Sequence, residues 1–450
     1  MEAVVLAAGK STRMKSETSK IFHHICGKPV IFYVLEAVKE YKTHIVVNRR
    51  DIDSVKKMFK NSDVHIQEEP NGTGGGLKAA LGFIKSEYFV VVNGDTPLIR
   101  QEDIKQAEET FKYKDLDCLV MTSYLENPYG YGRIIKNKDG VKIIEEKDAD
   151  DETKKIKEIN SGIYIFNTDF AKENIIKIMN NNKSREYYLT DLVQFSEKTD
   201  TLIIDKENVM GINTRAQLYE ARKMMQMRII ENFDSVTFIS PESTHVNYGV
   251  EIGKDSVIFP NVHLRNKTRI GKSCIVDTGS VICDSIIRDN VHIEPYCVIE
   301  ASLIDSNSQI GPFAHLRPQS DIKENVKIGN FVEVKKSTLS KGTKASHLSY
   351  IGDAELGEDV NVGCGTITCN YDGYKKNKTI IGDRVFIGSD TQLVAPVTVE
   401  HDSLIAAGTT VTKYVEPYSL VLSRVPQVNK EGWVKKYREI MEKKCKSKKD

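Results

Sequence analysis

An aliphatic residue returns at every sixth position through much of the second half of the chain, and few folds can accommodate such a clock. It runs through Ile252, Ile258, Leu264, Ile270, Val276 and Ile282, then steps by five to Ile287, Ile293 and Ile299. After another five-residue step come Ile304, Ile310, Leu316, Ile322, Ile328 and Val334, and the register returns at Ile381, Ile387, Leu393, Val399, Ile405 and Val411. All 21 positions are Ile, Leu or Val, and glycine follows at 253, 271, 311, 329, 382 and 388. A six-residue period fits a solenoid whose coil has three short flat strands, each pointing one aliphatic side chain into a narrow prism. An antiparallel sandwich has period-two strands and predicts no such clock. Residues 370–378 (NYDGYKKNK) break the register with a polar insertion that must loop out of the coil.

The first half has a different rhythm. Residues 2–7 form an apolar run followed by a Gly-rich turn and a helical pattern from about Val30 to Tyr41. Strand-like runs follow at 44–48 and 88–92, with a helical stretch at 51–60 between them. Strands alternating with helices predict a mostly parallel, doubly wound, Rossmann-like sheet. Ligands of such sheets sit beyond the carboxyl ends of the strands, where 7–20 and 93–97 fall. Residues 214–232 read as one long linking helix. The expected domains are therefore 1–213, a linking helix at 214–235, and a β-helix at 236–450.

Composition excludes several classes. The net charge of +1 points to neither nucleic acid nor a membrane surface. No run approaches the ~18 apolar residues of a membrane span, and the N-terminus lacks the pattern of a signal peptide. Eight scattered cysteines without a C-x-x-C pair fit a reducing cytoplasm better than a disulfide framework or a zinc site. The basic tail (Lys435, Lys436, Lys443, Lys444, Lys446, Lys448, Lys449) is interrupted by Glu439 and Glu442 and reads as a solvated helix.

In the first half, Leu6-Ala7-Ala8-Gly9-Lys10-Ser11-Thr12-Arg13-Met14 sits where a strand gives way to a loop, with Lys20 six residues on. Small residues let a backbone approach a phosphate chain, whose charge Arg13 and Lys20 can neutralise. Asp95, at the end of a buried strand, is placed for Mg²⁺, which needs only one or two protein oxygens when phosphates complete its octahedron. Gln67 offers an amide that both donates and accepts, as the uracil edge requires.

These stretches, with GTG at 72–74, YGR at 131–133, EEKDA at 145–149, INSG at 159–162 and GIN at 211–213, resemble the bifunctional N-acetylglucosamine-1-phosphate uridyltransferase family. The second half resembles the acetyltransferase half of the same family at 329–337, 346–357, 361–373, 387–397, 406–410 and 423–427, so the likeness covers nearly the whole chain. It implies a left-handed parallel β-helix of hexapeptide repeats behind the nucleotidyltransferase domain. It also implies that Lys20, Gln67, Gly72 and Thr73 bind UTP, and that Gly132, Glu145 and Asn160 bind the sugar. Asp95 and Asn213 would hold Mg²⁺. The family usually carries Pro where this chain has Ser19, and some relatives carry larger residues where it has Gly75-Gly76.

For acetyl transfer from acetyl-CoA to an amine, a base must take the amine's proton, and an imidazole titrating near ~6.5 suits that role. His347 is the candidate. By the resemblance, Arg317, Lys335, Tyr350, Asn361 and Lys376 bind glucosamine-1-phosphate, and Glu333, Asn370 and Tyr371 position the amine and sugar. The acetyl-CoA positions are Cys364, Asn370, Tyr371, Ser389, Ala407 and Arg424. Cys364 stands where the family commonly has Ala and has no catalytic role. The resemblance further implies a homotrimer packed through the β-helix, with the C-terminal segment reaching across to another chain.

Overall fold

The structure is a computed structural model that describes residues 1–137 and 140–446. Its chain forms two compact units, Met1–Asp234 with His245–Tyr248, and Ser235–Thr244 with Gly249–Asp450.

The first unit is built on a mixed sheet. Its strands run in the order Thr199–Ile203, Cys118–Tyr124, Glu158–Asn167, Tyr88–Asn93, Glu2–Leu6, Lys42–Val47 and Asp63–Ile66. Pairing along this path is parallel except on both sides of Glu158–Asn167, which runs antiparallel to its neighbours. A hairpin, Arg133–Asn137 with Gly140–Ile144, joins through Arg133 opposite Ile159. Successive side chains of a strand point to opposite faces, and both faces here are apolar. Ala3, Val5, Val90 and Val92 pack on one layer with Ile31, Val34 and Ile104. Val4, Val46, Phe89 and Val91 pack on the other with Leu77, Ala80 and Leu192. Hence the strands read as continuous hydrophobic runs, as strands covered on both faces do. The strand Glu2–Leu6 has parallel partners on both sides, one later and one much later in sequence. The sheet's switch point therefore lies beyond Leu6 and Asn93.

The long helix is Arg215–Glu231, and it buries Ala221 and Met225 against Met14, Ile25, Tyr33 and Leu98 of the first unit. It opens on a capping box, with Thr214 Oγ1 accepting from the Gln217 amide and Gln217 Oε1 accepting from Thr214 N–H.

The second unit is a left-handed parallel β-helix with three parallel sheets, one per side of the prism. One column of inward residues runs Ile258, Val276, Ile293, Ile310, Ile328, Ala345, Val362, Ile387 and Ile405, each opposite the next in register. Of the 21 clock positions, 20 are buried; Ile252, in the first coil, is partly exposed. A fully buried Leu or Ile contributes roughly 1.5–3 kcal/mol, so the repeat is the stabilising device as well as the pattern. The coil also continues unbroken where the clock falls silent. Leu339, Ala345, Ile351, Leu356, Val362 and Thr368 fill the inward seats between Val334 and Ile381. Corners use the left-handed backbone region at Asp255, Asn261, Asn290, Asn307, Asn325 and Asp359, residues whose short polar side chains tolerate it.

Residues 370–378 form the expected projecting loop. It folds on itself: Asp372 accepts from the Tyr374 and Lys375 amides and from Asn377 Nδ2, which holds its carboxyl at about 2. The tail forms the exposed helix Trp433–Lys446, and Lys448 and Lys449 lie outside the described residues. Among the described residues no helix is long and apolar enough to cross a membrane.

Candidate active sites

At the switch point, Ala7 N–H donates to the Val46 carbonyl and Gly94 N–H to the Leu6 carbonyl, so three strand ends are tied together by bonds of 2.8 Å each. The loop beyond Leu6 turns through left-handed residues Ser11 and Lys15. Ser11 Oγ then accepts from the Lys20 amide at 3.0 Å and lies 3.4 Å from Ser19 Oγ. Ser19, the departure from the family's proline, is thus a buried part of the loop's bracing.

The bracing brings Lys20 to Asp95, with which it forms an ion pair, and to Asn213 Oδ1 at 2.9 Å. Arg13 Nη2 donates to the same Asn213 oxygen at 2.9 Å. Asn213 is positioned from two directions. Ile212 N–H donates to the Asp95 carbonyl at 2.8 Å, and Asn213 N–H donates to Gln217 Oε1 at 2.9 Å. A carboxylate and an amide oxygen therefore converge on one cationic nitrogen, the arrangement that two oxygen ligands of a small hard cation need. Among the described residues no cluster of three or more His, Cys, Asp or Glu could hold a metal ion. A cation at Asp95 and Asn213 would accordingly rely on phosphate oxygens and water.

Around these residues lies a cleft of about 820 Å³ lined by Leu6, Ala7, Ala8, Gly9, Arg13, Lys20, Gln67, Gly72, Thr73, Asp95, Glu145 and Asn213. Gly132 and Asn160 line an adjoining cleft of about 180 Å³, which shares Thr73, Asp95, Glu145 and Asn213. Every candidate residue of the first half is thus brought together. Gln67 is oriented by donating to Asn71 Oδ1 and to the Gly72 carbonyl. Gly72 itself has φ +109°, and a Cβ there would lie 2.5 Å from the Tyr187 carbonyl oxygen, so only glycine fits.

Sequence reasoning missed several groups in the smaller cleft. Thr190 Oγ1 donates to Glu145 Oε1 at 3.3 Å, and Asn160 Nδ2 donates to Tyr164 Oη at 2.6 Å. Burial, and then the charges of Asp191, Asp148 and Glu186, raise the Glu145 carboxyl above its ordinary value against the lowering effect of the Thr190 bond. Thr190 and Tyr164 carried no glycine-rich or charged signal in the sequence.

On the solenoid, Arg317, Glu333, Lys335, Tyr350 and Asn370 share one side of the prism. Arg317 Nη1 donates to Glu333 Oε1 at 2.8 Å, and Asn370 Nδ2 donates to Asp353 at 2.6 Å and to Tyr350 Oη at 3.4 Å. The projecting loop, closed by a Tyr371–Lys376 bridge, brings Lys376 to Lys335. Contact with Lys376, then burial, then the charge of Arg317 hold the Lys335 ammonium below its ordinary range. Cations crowded together in this way make a ready site for a dianion such as a phosphate.

His347 ends the strand Lys344–His347 at a corner of the prism, three residues before Tyr350. Cys364, Ser389 and Ala407 occupy the same corner in the following coils, for each lies two residues beyond a member of the inward column Ala345, Val362, Ile387, Ile405. Arg424 passes beside Gly408 at the end of that column. Asn361 is the exception. It sits on another sheet, between Lys344 and Phe386, and the structure does not bring it to Arg317, Lys335 and Lys376 of its own chain.

A MobA-like NTP transferase domain matches residues 3–134, and the hexapeptide repeat of succinyl-transferase matches residues 378–413. Fold and sites together define a fused transferase, with a nucleotidyltransferase domain followed by a hexapeptide-repeat acyltransferase domain. Relatives carry the same arrangement along their whole length. The bifunctional protein GlmU of Geotalea uraniireducens (strain Rf4) is 46% identical over 96% of this chain and 98% of its own. That of Thermodesulfovibrio yellowstonii is 45% identical over 97% and 100%, and that of Clostridium novyi (strain NT) 43% over 96% and 98%. The chain belongs to the bifunctional GlmU family.

Proposed function

We infer that this enzyme makes UDP-N-acetylglucosamine in two reactions. In the first, the amine of glucosamine-1-phosphate attacks the acetyl carbon of acetyl-CoA; the amine loses a proton and coenzyme A leaves as its thiol. In the second, a phosphate oxygen of N-acetylglucosamine-1-phosphate attacks the α-phosphorus of UTP in line, and pyrophosphate leaves. The observation that carries this reading is the solenoid's corner column. His347 is followed by the small residues Cys364, Ser389 and Ala407, and three cations gather on the adjoining side of the prism and its projecting loop. A thioester lying along the column would present its acetyl group at His347.

In the first reaction, Arg317, Lys335 and Lys376 take the sugar phosphate, with Tyr350 and Asn361 completing the sugar-phosphate site, while Glu333, Asn370 and Tyr371 position the amine and sugar. His347 accepts its proton. In the second, the loop from Leu6 to Lys20 receives the triphosphate, with Arg13 and Lys20 countering its charge. Gln67 reads the uracil, and Gly132, Glu145 and Asn160 hold the sugar. No covalent intermediate is required, so positioning and charge supply the catalysis. Mg²⁺ held by Asp95 and Asn213 would supply positive charge at the phosphates.

The enzyme works as a homotrimer packed through the prism, in the cytoplasm, where its eight thiols stay reduced. Two features support the trimer: Asn361 lies on a different sheet from the cations it would serve, and Tyr296, Phe313 and Phe331 form an exposed stacked ladder along a corner.

Supplying glucosamine-1-phosphate, acetyl-CoA, UTP and Mg²⁺ tests the reading by mass spectrometry. Expected are UDP-N-acetylglucosamine, one thiol and one pyrophosphate per turnover, and no thiol release without the amino sugar. Thiol release without N-acetylation, or pyrophosphate release without a sugar phosphate, would overturn it.

A further inference from the structure

Asn330 stands directly beneath His347. The two are register partners of the parallel strands Lys327–Asn330 and Lys344–His347, each four residues long, the longest in the second unit among the described residues. The extra length carries the ladder to the corner, where Leu348 N–H donates to the Asn330 carbonyl at 3.0 Å. Gly329 makes this approach possible, because a Cβ there would fall 1.9 Å from the Ser346 carbonyl oxygen. Beyond the ladder the side chains meet too: His347 Nδ1 and Asn330 Oδ1 are 2.9 Å apart.

We propose that Asn330 is a positioning residue for acetyl transfer, accepting the Nδ1–H of His347 so that Nε2 keeps its lone pair turned outward for the amine. This rests on the reading of His347 as the base. Which ring nitrogen carries the proton is set by the bond that the other nitrogen makes. An amide oxygen fixes tautomer and ring direction as a carboxylate would, but without a negative charge that favours imidazolium. A base for an amine has to be neutral, so an amide is the fitting partner. The charged or titratable groups on the strands around His347 are Lys327 on Asn330's strand and Lys344 on its own, with Glu333, Lys335 and Tyr350 on the strands that follow around the corner; next on the corner itself is the Cys364 thiol. Among the described residues no carboxylate lies in ion-pair range of His347.

Acetyl transfer is followed as thiol release from pH 5 to 9 in Asn330→Ala, Asn330→Asp and the parent. The solenoid's melting transition, followed by scanning calorimetry, reports in each case that the variant is folded. Asn330→Ala is expected to lose about tenfold in kcat with KM for both substrates within twofold. Asn330→Asp keeps an acceptor, so it is expected to recover near-parent kcat at high pH with its acid limb moved up by about one pH unit. A merely structural role would not move that limb. Unchanged kcat in Asn330→Ala together with an unmoved limb in Asn330→Asp would overturn the assignment. An active His347→Ala variant would instead overturn the reading on which it rests.

Discussion

Thr368 occupies an inward seat of the solenoid that elsewhere belongs to Ile, Leu or Val, and its hydroxyl replaces a missing ladder bond. In the parallel coils the residue after an inward residue donates its N–H to the inward residue of the next coil, as Asp277 does to Ile293. Gly352 would by this rule donate to the Thr368 carbonyl. It donates instead to Thr368 Oγ1 at 2.7 Å, and that hydroxyl in turn donates to the Gly352 carbonyl at 3.0 Å. Thr368→Val keeps the shape and removes the acceptor. Leaving a buried N–H unpaired costs about 1–3 kcal/mol, while the added methyl returns about 0.8 kcal/mol. The net expectation is a loss of about 0.2–2.2 kcal/mol, a fall of up to about 9 °C in the solenoid's melting transition for a unit of this size. Scanning calorimetry reads the transition, and hydrogen exchange at Gly352 should accelerate in parallel. Were the seat purely hydrophobic, Val would be the better occupant. A variant as stable as the parent, with unchanged exchange at Gly352, would refute the hydroxyl's role.

Glu145→Gln should separate stability from function. Because the folded carboxyl titrates above the ordinary 4.5, the ionised form opposes folding, an effect absent below about that pH and complete once pH exceeds the folded value. Glu145→Gln should therefore melt higher than the parent at pH 8, the gap closing toward pH 4, while its pyrophosphate release falls; a gap that widens in acid would contradict this. Sedimentation should give three times the 50.7 kDa chain mass, and a monomer would remove the trimer. If Asn361 serves the cations of a neighbouring chain, co-refolding Lys335→Ala with Asn361→Ala should restore about one quarter of the acetyl-transfer sites by random association. Mixed trimers no more active than either pure variant would place both residues in one chain's site.

The solenoid was legible because its seats are aliphatic at a fixed period, and a one-dimensional pattern of burial survives in the sequence unaltered. It went unread between Val334 and Ile381 because Ala345 and Thr368 sit in seats there and the steps to Leu339 and Leu356 are five residues. At that place the coil gives up bulk and regularity around its candidate site. In the first unit the strand runs and the phosphate loop were readable, but the antiparallel course of Glu158–Asn167 was not, since a buried strand has the same composition in either direction. Of the site residues that escaped, Tyr164 bonds Asn160 within its own strand, whereas Thr190 and Asn330 act through one hydrogen bond each to a residue far away in sequence or a full coil distant. No local spacing encodes such a partner.

Reciprocal loss in two single variants tests most directly whether one chain carries two separate transferases. Lys20 lies in the first unit and His347 in the second. With glucosamine-1-phosphate, acetyl-CoA, UTP and Mg²⁺ present, Lys20→Ala should still release the thiol of coenzyme A and lose pyrophosphate release. His347→Ala, supplied with N-acetylglucosamine-1-phosphate, should release pyrophosphate at the parent rate and lose thiol release. A folded single variant that loses both activities, or one that loses neither, would contradict it.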